Sequence, residues 1–277
     1  MRDVTRDDVL RAALARRRPA HPVPAYAAPY AARVAALEAL LPELTDEAWS
    51  APVIHGWMAH EVIAHLMASD RLLAAALGAS LPGGPPSSDD PEAYTDEVLA
   101  AGLGRDEVLA RWRAQAAALC ELLSAAEPGL ADEKIVASGL RLRARDHLTN
   151  RAFETWVHCT DICNVTGILL PEPVFDHVYA MADMGCRSLP LSHRAGGGSV
   201  TGVAELVLTG PGGGTWLIRL GEDAGGPEST IVMDVIEFCF LFADRRDPEA
   251  VGAVVRGDRE LARELLSTTP CLVRLRR

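Results

Sequence analysis

The segment Arg151-Ala152-Phe153-Glu154-Thr155-Trp156-Val157-His158-Cys159-Thr160-Asp161-Ile162 is the most informative part of this chain. Side chains four residues apart on a helix point the same way, one turn above the other, so Glu154 and His158 share a face. A carboxylate and an imidazole placed in this way can both reach one divalent metal. With His65 as a third ligand, one position of a tetrahedral zinc stays open, which is typical of a catalytic site.

Asp161 belongs to the same helical face. If Glu154 is set at 0° on a wheel of about 100° per residue, His158 falls at roughly 40° and Asp161 at roughly −20°. Asp161 is therefore expected to support a ligand or to contact a substrate. A Glu–His pair at this spacing usually lies on a solvent-exposed helix face and binds no metal. Phe153 and Trp156 flank this one, and a buried carboxylate without a partner is costly, so the flanks favour a site.

A second helical segment, residues 56–66, contains a motif that resembles a zinc-protease signature. His60-Glu61 is followed by His65, but the two histidines are five residues apart instead of the four of H-E-x-x-H. Five residues separate them by about 140° on a helix, so they cannot share a metal. We therefore reject the protease interpretation. His65 lies on the more apolar face and is the predicted third ligand.

Composition excludes several classes of protein. The chain has 277 residues, is 49% apolar and carries a formal net charge of −11, so its length suggests one large domain or two moderate ones, and its charge does not favour nucleic acid. We expect no secretory signal, because the N-terminus is charged, and no membrane span, because no long apolar run occurs. A cytoplasmic location follows. Six scattered cysteines fit reduced thiols better than disulfides.

Periodicity divides the chain into a helical part and a later part with strands. Helices are predicted over residues 2–18, 30–41, 58–77, 105–126, 146–166 and 172–188. Strands are predicted over residues 204–209, 215–220 and 230–233, and helices near 234–243 and 258–267. We therefore expect an α+β chain with an N-terminal extension (1–25), a helical metal-binding domain (26–193) and, after a glycine-rich linker, a small α+β domain (199–277).

The two metal motifs resemble those of the mycothiol-dependent maleylpyruvate isomerase family, within the DinB-like superfamily. The first motif of that family has a Gly-Trp pair, an acidic residue and, one turn later, a His-Leu pair; these correspond to Gly56-Trp57, Glu61 and His65-Leu66. Its second motif is matched by Glu154, His158 and Asp161. The C-terminal part of that family contains sequence stretches similar to residues 208–213, 244–248 and 257–258.

The resemblance implies a four-helix up-down bundle that carries zinc, followed by a small domain with a sheet and helices. By residue-wise correspondence, the metal ligands are His65, Glu154 and His158, with Asp161 as a nearby polar residue. The family also uses arginines to hold carboxylate or sugar groups of its substrate and thiol. The nearest matches for these arginines in the second domain are Arg245 and Arg246.

The resemblance further implies mycothiol as co-substrate, with zinc or another divalent metal as cofactor. Metal binding lowers the pKa of a thiol, so that the thiolate is present at neutral pH and can attack a small electrophile. The chain is then an S-transferase or a cis-trans isomerase, acting as a monomer or a homodimer. Two alternatives stay open: a metal-free binding module on the same fold, and a zinc hydrolase that uses bound water.

Overall fold

The computed structural model describes residues 19–79, 81, 84–221 and 225–270. The helix predicted over residues 2–18, together with Cys271, lies outside these ranges. Contacts between residues divide the chain into two compact units, Met1–Glu172 and Pro173–Arg277. None of the helices in the described part of the chain is both long and apolar enough to cross a membrane.

In the described residues of the first unit, four helices are long. In chain order, the helices of this unit are α1 (Ala28–Leu40), α2 (Asp46–Ser50), α3 (Ala59–Ala76), α4 (Pro91–Ala100), α5 (Arg105–Ala125) and α6 (Ala144–Thr166). α1 packs against α6, while α3 packs against α4, α5 and α6. The predicted helices at α1, α3, α5 and α6 are confirmed, and each observed end lies within two residues of the expected one.

An apolar core fixes these helices against each other. Burial of a large apolar side chain contributes about 1.5–3 kcal/mol. The fully buried side chains of the first unit include Trp112, Tyr30, Leu37, Ile63, Leu66, Leu119, Leu148 and Ile162. α6 ends at Gly167, whose φ of 71° is left-handed, as expected for a glycine that follows a helix C-terminus.

Two small hairpins in the first unit were not predicted. β1 (Pro52–Ile54) pairs with β2 (Trp57–Met58), and β3 (Lys134–Ala137) pairs with β4 (Leu140–Arg143). The two-residue turns are His55-Gly56 and Ser138-Gly139, and all four residues have positive φ. Tight hairpin turns of this kind need positive φ at both central residues, which explains the glycine in each.

Where the structure describes it, the second unit combines a mixed sheet with three helices. Its strands are β5 (Gly202–Thr209), β6 (Gly214–Leu220), β7 (Ser229–Asp234) and β8 (Val254–Gly257), and its helices are α7 (Phe175–Ala195), α8 (Val235–Phe242) and α9 (Arg259–Thr268). The sheet order is β6-β5-β7-β8, with β5 and β7 parallel and the other pairs antiparallel. The expected α+β class, with a helical part followed by a sheet with helices, is confirmed.

The helix predicted over residues 172–188 is observed as α7, and it belongs to the second unit. It packs against β6, α8 and α9. The approach to α8 is close, because a Cβ placed on Gly185 would lie 3.1 Å from the Phe238 ring. The helical domain predicted over residues 26–193 includes this segment, whereas contact clustering places it in the unit Pro173–Arg277.

Candidate metal centre

The two sequence motifs come together between α3 and α6 of the first unit. His65 lies on α3, and Glu154 and His158 lie on α6. The Nε2 atom of His65 is 4.0 Å from Oε2 of Glu154. The rings of His65 and His158 meet edge to face, with centroids 5.3 Å apart. Residues 89 positions apart in the chain therefore present two imidazoles and a carboxylate to one small volume.

Each imidazole is held through its Nδ1 atom. Nδ1 of His65 lies 3.1 Å from the Thr95 hydroxyl, and Nδ1 of His158 lies 3.1 Å from Oδ2 of Asp161. With the proton on Nδ1 in both rings, each Nε2 carries the lone pair that a metal requires. Metal-binding histidines in proteins are usually oriented by such a bond from the other ring nitrogen.

The environment of His65 favours the neutral imidazole. Burial above all, and then the neighbouring His158, lowers the pKa of His65 from its ordinary value to about 3. Only 7% of the residue is exposed, so little water is available to solvate an imidazolium. A histidine must be neutral to bind a metal, and His65 meets this condition across the physiological pH range.

Glu154 faces His65, but both of its oxygens already accept hydrogen bonds. Asn150 Nδ2 donates to Oε1 at 2.7 Å, and the Arg151 guanidinium donates to Oε2. Among the described residues, no group of three or more His, Cys, Asp or Glu side chains is placed so that it could hold a metal ion as it stands.

The donor set nevertheless fits a divalent metal. Two ligands about 2.1 Å from a tetrahedral ion lie about 3.4 Å apart, so the 4.0 Å between His65 Nε2 and Glu154 Oε2 must close by only about half an ångström. Two nitrogens and one carboxylate are also a combination that zinc uses in catalytic sites, with one position left open.

The part of the chain that carries this candidate centre matches a known protein family. Residues 30–163 match the family model described as the mycothiol maleylpyruvate isomerase N-terminal domain. These residues belong to that domain family. The range includes all three candidate ligands and Asp161, so the resemblance inferred from the two motifs is confirmed.

Relatives and solved structures extend the similarity beyond the mycothiol maleylpyruvate isomerase N-terminal domain. The chain is 27% identical to the uncharacterized proteins MT0041 and Rv0036c from two strains of Mycobacterium tuberculosis, over 78% of this chain and 85% of each relative. Crystal structures of the mycothiol-dependent maleylpyruvate isomerase and of one of its mutants superpose with TM-scores of 0.59 and 0.60. Identity to both is 16%, over 84% of this chain and 92% of theirs, which shows a shared fold.

The predicted arginines lie in the second unit, outside the matched domain. Arg246 donates to Glu237, with Nε 3.0 Å from Oε2, and its guanidinium lies over the Phe240 ring at 5.3 Å. Arg245 donates from Nη1 to the carbonyl oxygen of Ala243 at 2.9 Å. A role of Arg245 or Arg246 in holding substrate stays a prediction.

Cys159 and Cys163 lie on α6, the helix that carries Glu154 and His158, and both are free thiols. Burial raises the pKa of Cys159 to about 12 and also raises the pKa of Cys163. Neither side chain is a thiolate at neutral pH, so both fit a structural role better than a redox or ligand role. His60 is half-buried on α3 and, as the wheel predicted, is not part of the His65–His158 contact.

Three residues that support the candidate ligands, Thr95, Asp70 and Arg151, were not predicted. Thr95, on α4, is fully buried and holds His65. Asp70 and Arg151 form a buried ion pair beside Glu154. The Trp57 ring also lies 5.4 Å from the His65 ring. The one available signal was the spacing of Arg151, three residues before Glu154 and thus on its face of the helix.

Proposed function

We propose that His65, Glu154 and His158 bind one divalent metal, zinc by preference, and that the centre activates a low-molecular-weight thiol for attack on a small electrophile. The observation that carries this proposal is the pair of Nδ1 contacts, between His65 and Thr95 and between His158 and Asp161. In the tautomer with the proton on Nδ1, each Nε2 presents its lone pair, and Glu154 lies next to Nε2 of His65.

In this proposal, the residues of the chain hold the three ligand side chains in place for a metal. Thr95 and Asp161 fix the imidazole rings, and burial keeps His65 neutral. A divalent metal held by these residues would act as a Lewis acid and lower the pKa of a thiol substrate. The apolar surroundings of α3 and α6 limit water at the centre, and electrostatic interactions are stronger where water is excluded.

Two reaction types use the same activated thiol. A thiolate that adds to a conjugated cis double bond lets that bond rotate before the thiol leaves, which is isomerisation. A thiolate that displaces a leaving group or gives a stable adduct makes the protein an S-transferase. The solved structures with the same fold are of a mycothiol-dependent maleylpyruvate isomerase, and mycothiol is therefore the first thiol to test here.

One observation favours a different class of function. Both oxygens of Glu154 are engaged by Asn150 and Arg151, which is the arrangement expected of a metal-free binding module on the same fold. In such a module Glu154 serves only as the partner of an arginine. The module and the enzyme differ in one clear property, which is turnover that depends on both metal and thiol.

The proposal is tested by incubating zinc-loaded protein with a panel of small electrophiles, with and without mycothiol. We expect product only when mycothiol is present, and loss of turnover in His158→Ala. Turnover without a thiol would instead identify a hydrolase that uses water. Binding of electrophile or thiol without turnover, unaffected by zinc, would support the binding module and contradict the proposal.

A further inference from the structure

A buried ion pair lies directly behind the candidate metal centre. Arg151 Nε on α6 donates to Oδ1 of Asp70 on α3 at 2.6 Å, and the two side chains are only 5% and 2% exposed. The Tyr30 hydroxyl on α1 donates to the other carboxylate oxygen of Asp70 at 2.9 Å. Three of the four long helices are thus joined by one polar cluster inside an apolar core.

A buried ionic cluster of this kind is not expected to add much to the free energy of unfolding. Removing two charges from water has a large desolvation cost, and apolar replacements of buried ion pairs are often neutral or stabilising. In some proteins, buried ionic groups fix a geometry that an apolar core does not fix. The geometry here is that of Glu154, because Arg151 also donates from Nη1 to Oε2 of Glu154.

The contacts of Arg151 place the same guanidinium between two carboxylates. Oε2 of Glu154 is the oxygen that lies 4.0 Å from His65 Nε2, so the arginine holds the oxygen that faces the candidate ligand histidine. Asp70 anchors the opposite side of the guanidinium and offsets its positive charge. With both carboxylates ionised, the arginine and the two carboxylates together carry one net negative charge, which is available to a cation.

We propose that Arg151 and Asp70 are positioning residues for the metal ligand Glu154. Arg151 aims the Glu154 carboxylate at His65, and Asp70 fixes Arg151 and prevents its charge from neutralising Glu154. This inference rests on the proposed metal centre. It adds that metal affinity depends on a buried pair that binds the ligand Glu154 from behind.

The test compares metal binding and stability in matched variants. Apparent Kd values for Zn²⁺ and Co²⁺ are measured by chelator competition, together with the visible spectrum of the Co²⁺ form and the thermal unfolding of the metal-free protein. The variants are Asp70→Asn, Arg151→Lys and the double change Asp70→Leu with Arg151→Met. The last replaces the pair with apolar side chains, so a folded protein is expected even where a single change fails to fold.

Loss of a supporting residue behind a metal ligand typically weakens binding about 10- to 100-fold, and this is the loss expected for all three variants. The Co²⁺ spectrum is expected to change, because the Glu154 carboxylate is no longer held. Lysine does not rescue, since its single ammonium cannot bridge two carboxylates as the planar guanidinium does. Leu119→Ala, a fully buried change on α5, is the control that lowers the melting temperature without changing Kd.

Two negative results have different meanings. If the wild-type protein binds neither metal, the proposed function itself fails. If the wild type binds metal and the double variant binds it with the same Kd and the same Co²⁺ spectrum, the pair is only structural and this inference is overturned.

Discussion

The hydrogen bond between His158 and Asp161 gives a graded prediction for metal affinity. Oδ2 of Asp161 lies 3.1 Å from Nδ1 of His158, and Asp161 is 8% exposed. Asp161→Asn keeps an oxygen acceptor at this place but removes its charge. Asp161→Ala removes the acceptor completely, so the ring is free to turn and to move its proton to Nε2.

The magnitude follows from the strength of this bond. Hydrogen bonds to a charged acceptor are about twice as strong as neutral ones, and loss of such a partner of a ligand histidine weakens metal binding about 10- to 100-fold. We therefore expect a loss near tenfold for Asp161→Asn and near 100-fold for Asp161→Ala. These losses correspond to about 1.4 and 2.7 kcal/mol of binding free energy.

The assay is a chelator-competition titration with Zn²⁺ or Co²⁺ at constant pH. Thr160→Ala is the matched control, because Thr160 is the adjacent residue of α6 and donates only to the backbone carbonyl of Trp156, at 3.0 Å. Its apparent Kd is expected to equal that of the wild type. The reasoning is refuted if Asp161→Ala binds metal as tightly as the wild type, or if Thr160→Ala is weakened to the same extent.

Three further predictions concern other parts of the first unit. Thr95→Val keeps the side-chain volume but removes the hydroxyl next to Nδ1 of His65; metal affinity is expected to fall about tenfold or more, measured by the same titration, and an unchanged Kd would contradict the role of Thr95. Gly167→Ala is expected to lower the free energy of unfolding by about 1–2 kcal/mol in a denaturant titration, because alanine is strained at a φ of 71° although no atom lies within 4 Å of its Cβ. Gly129→Ala, also without a neighbour within 4 Å and with no left-handed φ, is the control and should change stability much less. The Cys159 thiol, with its pKa raised by burial to about 12, should resist a disulfide reagent at pH 7.5 in the native protein and react only after unfolding or at strongly alkaline pH; fast native-state reaction would show that the thiol is not buried as described.

Sequence alone predicted the features that depend on local spacing. The shared face of Glu154, His158 and Asp161 follows from the helical repeat, and the end of α6 follows from Gly167. The exclusion of His60 follows from the same arithmetic. Local spacing also gave the class of the fold, because helical periods fill the first part of the chain and alternating strands follow.

Features that depend on tertiary packing were not predictable. Thr95 lies 30 residues from His65, and no periodic pattern relates a residue on α4 to one on α3. Asp70 and Arg151 are 81 residues apart, and each alone looks like an ordinary charged position on an amphipathic helix. The placement of α7 in the unit Pro173–Arg277 also depends on tertiary packing, because the sequence does not show which core covers its apolar face.

The central claim is that two histidines and one glutamate form a divalent-metal centre. Its most direct measurement is the metal content per chain, by elemental analysis, of protein purified without chelators and then supplied with a small excess of Zn²⁺ and desalted. We predict roughly one ion per wild-type chain, as for a single three-ligand site, and close to none for His158→Ala with unchanged helical content. Less than about half an ion per chain in the wild type, or the same content in His158→Ala, would contradict the account.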